Sequence, residues 1–75
     1  MHKTVLAQVA DLLLEETDRQ PDVNLSQKTI GMLLGVSRQS INEALGRLRD
    51  QGVVETGYRK IRVVDAERLA AIAEV

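Results

Sequence analysis

The stretch Leu25-Ser26-Gln27-Lys28-Thr29-Ile30-Gly31-Met32-Leu33-Leu34-Gly35-Val36-Ser37-Arg38-Gln39-Ser40-Ile41 decides how this chain is read. It uses one punctuation device twice. Ser26 precedes a run with helical spacing, and a serine hydroxyl there accepts from the free N–H groups of a first helical turn. Leu25 just before it and Ile30 within the run form a hydrophobic staple. Gly35 then provides the left-handed residue that ends a helix. Ser37 opens the next helix in the same way, with Val36 and Ile41 as its staple. That second helix continues through Ala44, Leu45 and Leu48 to about Gln51, and Gly52 is its stop. Two helices joined only by Gly35-Val36-Ser37 have no length in which to lie side by side, so they cross steeply. Gly31, inside the first of them, costs about 1 kcal/mol relative to alanine. Close approach of the second helix over that glycine is the compensating reason.

Toward the N-terminus, Val5, Leu6, Val9, Leu12 and Leu13 recur at helical spacing between Thr4 and about Arg19, with Asp11, Glu15 and Glu16 on the wet side. Pro21 stops this helix. Pro21 to Asn24 is a connector, and Val23 to Leu25 has room for a very short strand. Toward the C-terminus the period changes from helical to alternating. Val53-Val54-Glu55-Thr56 and Lys60-Ile61-Arg62-Val63-Val64 read as two strands, with Gly57 in the turn between them. Ile61 and Val63 share one face of the second strand, Lys60 and Arg62 the other. The hairpin therefore has an inward apolar face and a basic outer face. Asp65 caps a last helix with Leu69 and Ile72 turned inward. The expected core is Val5, Val9, Leu13, Ile30, Leu34, Ile41, Leu45, Leu48, Ile61 and Val63. The expected fold class is mainly α with a small β-hairpin, a winged helix-turn-helix. An N-terminal helix leads to a helix-turn-helix pair over about residues 26–50, a wing over about 53–64 and a C-terminal helix, all in a single domain over residues 1–75.

Composition bounds the function. The 75 residues are 44% hydrophobic and 28% charged, which is ordinary globular usage. A domain this short buries roughly 60% of its unfolded surface and stands near the lower limit for folding alone. Tyr58 is the single aromatic residue, so the core must be aliphatic. With no cysteine in the sequence, disulfides, cysteine-held zinc and iron–sulfur clusters are excluded within it, and a reducing cytoplasm suits it. His2 has no partner ligand nearby in sequence, so no metal site is expected. No apolar run approaches the ~20 residues that span a bilayer. There is no phosphate loop and no cysteine nucleophile, and neither an enzymatic role nor a cofactor is expected. The net charge of −1 argues at first against nucleic acid, but the charges are segregated. Residues 1–34 balance at −2 and residues 63–75 at −2. Between them Arg38, Arg47, Arg49, Arg59, Lys60 and Arg62 face Glu43, Asp50 and Glu55, a balance of +3. Phosphate binding needs a local basic surface rather than a basic protein.

In a unit of this order the second helix of the tight pair enters a major groove with its N-terminal residues facing base edges. The hairpin beside it meets the phosphate backbone. With Ile41, Ala44, Leu45 and Leu48 inward, Arg38, Gln39, Asn42 and Glu43 fall near the outer face and are the candidate base readers. Arginine pairs bidentately with guanine, and glutamine or asparagine with adenine. Glu43 either accepts from a cytosine amino group or pairs with Arg47 one turn later. Arg59, Lys60 and Arg62 are candidate backbone contacts, joined by Gln27, Lys28, Arg47 and Arg49; the last two serve equally well as solvated charges. Tyr58 at the hairpin tip either touches the backbone or covers the core.

The quoted stretch, its continuation Leu45-Gly46-Arg47-Leu48-Arg49-Asp50-Gln51-Gly52-Val53-Val54, and Ile61-Arg62-Val63-Val64-Asp65 with Leu69 together resemble the helix-turn-helix, closing strand and last helix of the Crp/Fnr family of transcription regulators. The similarity covers about residues 23–72. It implies that Arg38 reads a base, that Ser26 contacts a phosphate, and that Ser37 and Ser40 lie near the backbone. Gln39 stands where the family commonly has glutamate, and Glu43 where it commonly has a second arginine, so the site read should differ. The resemblance further implies sequence-specific binding of double-stranded DNA in a prokaryotic, nucleoid-associated cytoplasmic setting, with RNA polymerase as a candidate second partner. It implies homodimers on two-fold symmetric sites. The family's ligand-sensing β-barrel and long dimerisation helix are not among these residues, so the isolated segment is expected to be monomeric and to bind weakly. The alternative is a winged-helix protein-interaction module that never touches DNA, favoured by the negative net charge and by Glu43. A DNA binder should place Arg38, Arg47, Lys60 and Arg62 on one continuous face; an interaction module should expose an apolar patch.

Overall fold

Thr4 opens the first helix, α1 (Val5–Glu16), by accepting from the Ala7 N–H at 3.1 Å in the computed structural model, which describes residues 3–18, 20 and 22–74. The helix ends earlier than the apolar spacing suggests. Thr17 donates its N–H to the Leu13 carbonyl at 3.0 Å and its hydroxyl to the Leu14 carbonyl at 3.1 Å, which closes α1 at that residue. Arg19, Pro21 and His2 lie outside the described residues.

The repeated capping device forms twice, as its spacing implies. Ser26 accepts from Thr29 N–H at the start of α2 (Gln27–Leu34), and Ser37 accepts from Ser40 N–H at the start of α3 (Arg38–Asp50), each at 3.1 Å. Gly35 takes φ +70° between them, which lets Val36 N–H turn back to the Gly31 carbonyl at 3.0 Å. A Cβ on Gly31 would lie 2.9 Å from the Val36 carbonyl oxygen and 3.7 Å from Ile41 Cγ1. The glycine is thus needed for close approach, but its nearest neighbour is the carbonyl of the turn itself, ahead of any side chain of α3.

At its far end α3 closes with Gly52 N–H on the Arg49 carbonyl (2.9 Å) and Val53 N–H on the Leu48 carbonyl (3.2 Å). This paired termination brings the residue after the glycine back onto the helix. It explains why two consecutive valines are both buried: Val53 seals the helix end, and Val54 begins the inner face of the sheet.

The sheet is larger than the expected hairpin. A short strand β1 (Asp22–Val23) adds to β2 (Val54–Gly57) and β3 (Lys60–Val63) in the antiparallel order β1-β3-β2. Asp22 lies opposite Arg62 and Val23 opposite Ile61; on the other side Glu55 lies opposite Arg62 and Thr56 opposite Ile61. The short strand therefore starts one residue earlier than the expected Val23 to Leu25 and ends at Val23. Gly57 is the last residue of β2 and pairs with Lys60, so the turn is Tyr58-Arg59, and Arg59 takes the left-handed conformation at φ 54°. The Val53 carbonyl accepts from both Val64 and Asp65, and Asp65 caps the last helix, α4 (Ala66–Ala73), by accepting from Arg68 N–H at 3.1 Å.

α1 packs on α3 and α4, and the sheet closes the far side of α3. Val9, Leu13, Ile30, Ile41, Leu45, Leu48 and Ile61 are buried as expected, whereas Val5, Leu34 and Val63 lie half-buried at the rim. Val23, Val53, Val54 and Leu69 complete an aliphatic core that holds no buried polar side chain among the described residues. Adding a methyl group at Gly31 gains about 1 kcal/mol of helix propensity. It also forces the Val36 carbonyl to move, and overpacking of this kind costs about 1–3 kcal/mol. Gly31→Ala is therefore expected to lower the urea unfolding midpoint, and Gly31→Val to lower it further. A midpoint at or above that of the parent would show that the turn does not press on this position.

Candidate nucleic-acid interface

α3 rotates ~100° per residue, so its buried Ile41, Ala44, Leu45 and Leu48 fix where every other side chain points. Opposite them, Gln39, Glu43, Gly46 and Asp50 run along the outermost line. Arg38, Asn42 and Arg49 fall on one flank, Ser40 and Arg47 on the other. All four expected base readers, Arg38, Gln39, Asn42 and Glu43, are exposed.

The Arg38 flank borders a cleft of about 500 Å³ between the first turn of α2, α3 and the wing. Ser26, Gln27 and Lys28 line it from α2, Arg38 and Leu45 from α3, and Tyr58, Arg59 and Lys60 from the wing. Three segments distant in sequence thus converge four cations on one concavity. Lys28, Arg38 and Arg59 make no ion pair among the described residues. Tyr58 is 89% exposed, so it does not cover the core; the Arg59 guanidinium lies over its ring, 5.4 Å from the centroid. Gln27 donates to Asn42 Oδ1 at 3.3 Å, which ties the start of α2 to the Arg38 flank of α3.

The serines do two jobs. Ser26 caps α2 and shares a 3.0 Å bond with the Thr29 hydroxyl, a partner that the capping pattern does not reveal. Ser37 caps α3 and donates its proton to the Ser40 hydroxyl at 3.0 Å. Free N–H groups and a hydroxyl at a helix start suit a phosphate.

On the opposite flank, Ser40, Glu43 and Arg47 face Thr4, Val5 and Leu6 across a shallow groove of about 220 Å³. The Glu43–Arg47 ion pair does not form, and Glu43 has no salt-bridge partner among the described residues. Arg49 reaches the wing instead, donating to Thr56 Oγ1 at 3.3 Å.

The outer face of the wing departs most from expectation. Arg62 Nε donates to Asp22 Oδ1 at 2.8 Å and its terminal nitrogen to Oδ2 at 3.4 Å; Lys60 Nζ lies 3.1 Å from Oδ2. Glu55 stands opposite Arg62 on the other neighbouring strand. Two cations thus share one carboxylate, with a second on the neighbouring strand, so the formal charges of the face balance. The reason is the third strand, which brings in an acid that sequence reading assigns to a connector. Asp22 is the residue missed, and the outward–inward alternation of Asp22-Val23 is the signal that marks it. Of the four cations expected on one face, Arg38 and Lys60 line the same cleft, Arg47 lies on the opposite flank of α3, and Arg62 is held by Asp22. Met32 (75% exposed) and Leu33 (61%) adjoin on α2 as exposed apolar side chains.

The Crp-like helix-turn-helix domain model matches residues 7–72. The chain belongs to that family. It is 37% identical over 68 residues to the HTH-type transcriptional regulator Cmr of Mycobacterium tuberculosis (strain CDC 1551 / Oshkosh), a match that covers 91% of this chain and 28% of Cmr. It superposes on FixK2 from Bradyrhizobium japonicum with a TM-score of 0.84 at 31% identity, covering 95% of this chain and 39% of FixK2. The Thermus thermophilus catabolite activator protein gives a TM-score of 0.84 at 28% identity, with 92% and 33% of the two chains covered. The chain therefore spans well under half the length of these relatives. Among the described residues of this Crp-like domain no His/Cys/Asp/Glu group could hold a metal ion, and no helix is long and apolar enough to cross a membrane.

The two donors on Asp22, Arg62 foremost and Lys60 second, hold its carboxyl below the usual carboxylate range, and Asp22 in turn raises Arg62. A carboxyl depressed on folding contributes stability above its unfolded pKa, about 3.9, and that contribution is lost as pH falls through the lower folded value. In a carboxyl NMR titration Asp22 is expected to titrate below the usual aspartate range, and Arg62→Ala to move it back toward that range. A parent midpoint in the ordinary range would show that the clamp is not populated in solution.

Proposed function

We propose that this Crp-like domain is the DNA-reading part of a transcription regulator and binds duplex DNA sequence-specifically, with the start of α3 in a major groove. The observation that carries the reading is the convergence on one cleft of Arg38, Lys28 and Arg59, all without ion-pair partners among the described residues, beside the exposed Gln39 and Asn42. Concave cation clusters beside a polar helix start match the shape and charge of a duplex. A cation at a helix N-terminus is slightly disfavoured by the macrodipole, so stability does not account for Arg38.

In this reading Arg38 reads guanine, Gln39 and Asn42 read adenine, and Glu43 accepts from a cytosine amino group, the geometry each side chain favours. Glu43 is available for this because Arg47 does not engage it. Lys28, Ser40 and Arg59 contact phosphates, with Ser26 and Ser37 holding the helix starts against the backbone, and Arg47 reaches the strand across the groove. Residues 1–75 act as one unit, which serves in a homodimer of the longer regulator on a two-fold site in a prokaryotic cytoplasm. Contact with RNA polymerase would be a separate surface.

Selection from a random duplex pool, followed by anisotropy titration of the enriched sequence, tests the reading. Affinity is expected to fall as salt rises, because bound cations release counterions from phosphates. Arg38→Ala is expected to lose about 1–3 kcal/mol on the selected sequence and little on unrelated duplex. Equal loss on both would move Arg38 to the backbone; no enrichment and no salt-dependent binding would end the DNA reading.

A further inference from the structure

The wing's charges have a consequence for how tightly DNA is held, given the DNA-binding reading above. We propose that Asp22 occupies the place of a phosphate on the wing: by holding Lys60 and Arg62 it sets the absolute affinity and salt sensitivity of the domain while leaving sequence preference to α3.

The geometry is that of anion recognition turned inward. Arg62 offers Nε and a terminal nitrogen to the two oxygens of Asp22, at 2.8 and 3.4 Å. This forked pairing is the one a guanidinium uses for carboxylate and phosphate alike. Lys60 adds a second cation at 3.1 Å on Oδ2. Lys60 also lines the cleft that Lys28, Arg38 and Arg59 share, so without Asp22 it would be a further free cation on that concavity. Asp22 reaches both through β1, whose pairing places it directly across from Arg62 and one diagonal step from Lys60. Glu55 stands on the opposite side of Arg62 in the sheet register without forming an ion pair with it among the described residues, so Asp22 alone holds the guanidinium. The wing's phosphate contact is thereby confined to its tip, where Arg59 remains unpaired among the described residues.

The clamp is exposed, with side-chain accessibilities of 54% for Arg62, 50% for Lys60 and 23% for Asp22, so it is a weak and removable pairing. Removing it changes the number of cations available to phosphates without touching a base-reading residue. Phosphate contacts carry no sequence information, and their number sets the salt dependence.

Asp22→Asn keeps shape and removes charge. In anisotropy titrations between 50 and 200 mM salt, the slope of log affinity against log salt is expected to steepen by about 0.9 for each released cation. The ratio of affinities at those two salts then grows about 3.5-fold for one cation and about 12-fold for two. The gain is expected on the selected and on unrelated duplex alike, and to vanish when Lys60→Gln and Arg62→Gln are added to Asp22→Asn. Glu67→Gln on α4 removes the same net charge elsewhere and is expected to give a smaller change. In the parent domain, the Arg62 Nε–H signal in NMR is expected to stay in place as duplex is added while that of Arg38 moves; this readout does not depend on any variant folding. A slope for Asp22→Asn no steeper than that of Glu67→Gln, a gain that persists in the triple variant, or an Arg62 signal that moves with Arg38 would overturn the proposal. Parent binding that depends on Arg38 beside an unchanged Asp22→Asn slope overturns this inference alone, whereas a parent domain that binds no duplex overturns the DNA reading with it.

Discussion

Val36 presses its carbonyl to within 2.9 Å of where a side chain on Gly31 would begin, and the rest of the structure follows from that closeness. Gly35 supplies the left-handed turn and Val36 N–H returns to the Gly31 carbonyl, so α2 ends and α3 begins with almost no chain between them. The staples Leu25 with Ile30 and Val36 with Ile41 then pull both helix starts onto the same aliphatic core. Because Ile41, Ala44, Leu45 and Leu48 are committed inward, the first turn of α3 has only one direction in which to show Arg38, Gln39, Asn42 and Glu43. Presentation of the candidate reading residues is mainly a by-product of packing, with the Gln27–Asn42 hydrogen bond the one polar contact that any of them makes to another element among the described residues.

The second ordering principle is the distribution of charge over three elements. A net charge of −1 hides a cleft in which Lys28, Arg38, Arg59 and Lys60 converge from α2, α3 and the wing. The same sheet that positions the wing tip neutralises its outer face, since β1 brings Asp22 onto Arg62 and Lys60 while Glu55 stands on the other side. Attraction for an anionic partner is thus concentrated in the concave side. A reading from composition alone spreads it over the whole hairpin.

Membership of the Crp-like family rests on most of the chain, residues 7–72, and the fold agrees with relatives whose sequences differ at about seven positions in ten. What those relatives share with this chain is the fold, over more than nine-tenths of its length. Gln39 and Glu43 are turned outward by the same backbone that exposes Arg38.

The helix pair was determined locally, and so it could be read directly from the sequence. Ser26, Gly35, Ser37 and Gly52 act on residues within one turn of themselves, and aliphatic spacing over a dozen residues defines each inner face. The exposure of the four candidate base readers followed from that spacing for the same reason. The end of α1 was not readable in this way, because the Thr17 hydroxyl takes the Leu14 carbonyl while the apolar spacing still runs toward Arg19. Nor was the position of the left-handed residue in the wing, where strand register placed Arg59, not Gly57, at the turn. Asp22 on Arg62 joins residues 40 apart, and Gln27 on Asn42 joins residues 15 apart. Those pairings exist only once the chain has closed on itself. Local patterns of capping and periodicity specify which segments form and which faces turn inward; which charges meet on the outside is decided by strand pairing and helix crossing, since distance in space, not in sequence, sets the strength of an electrostatic contact.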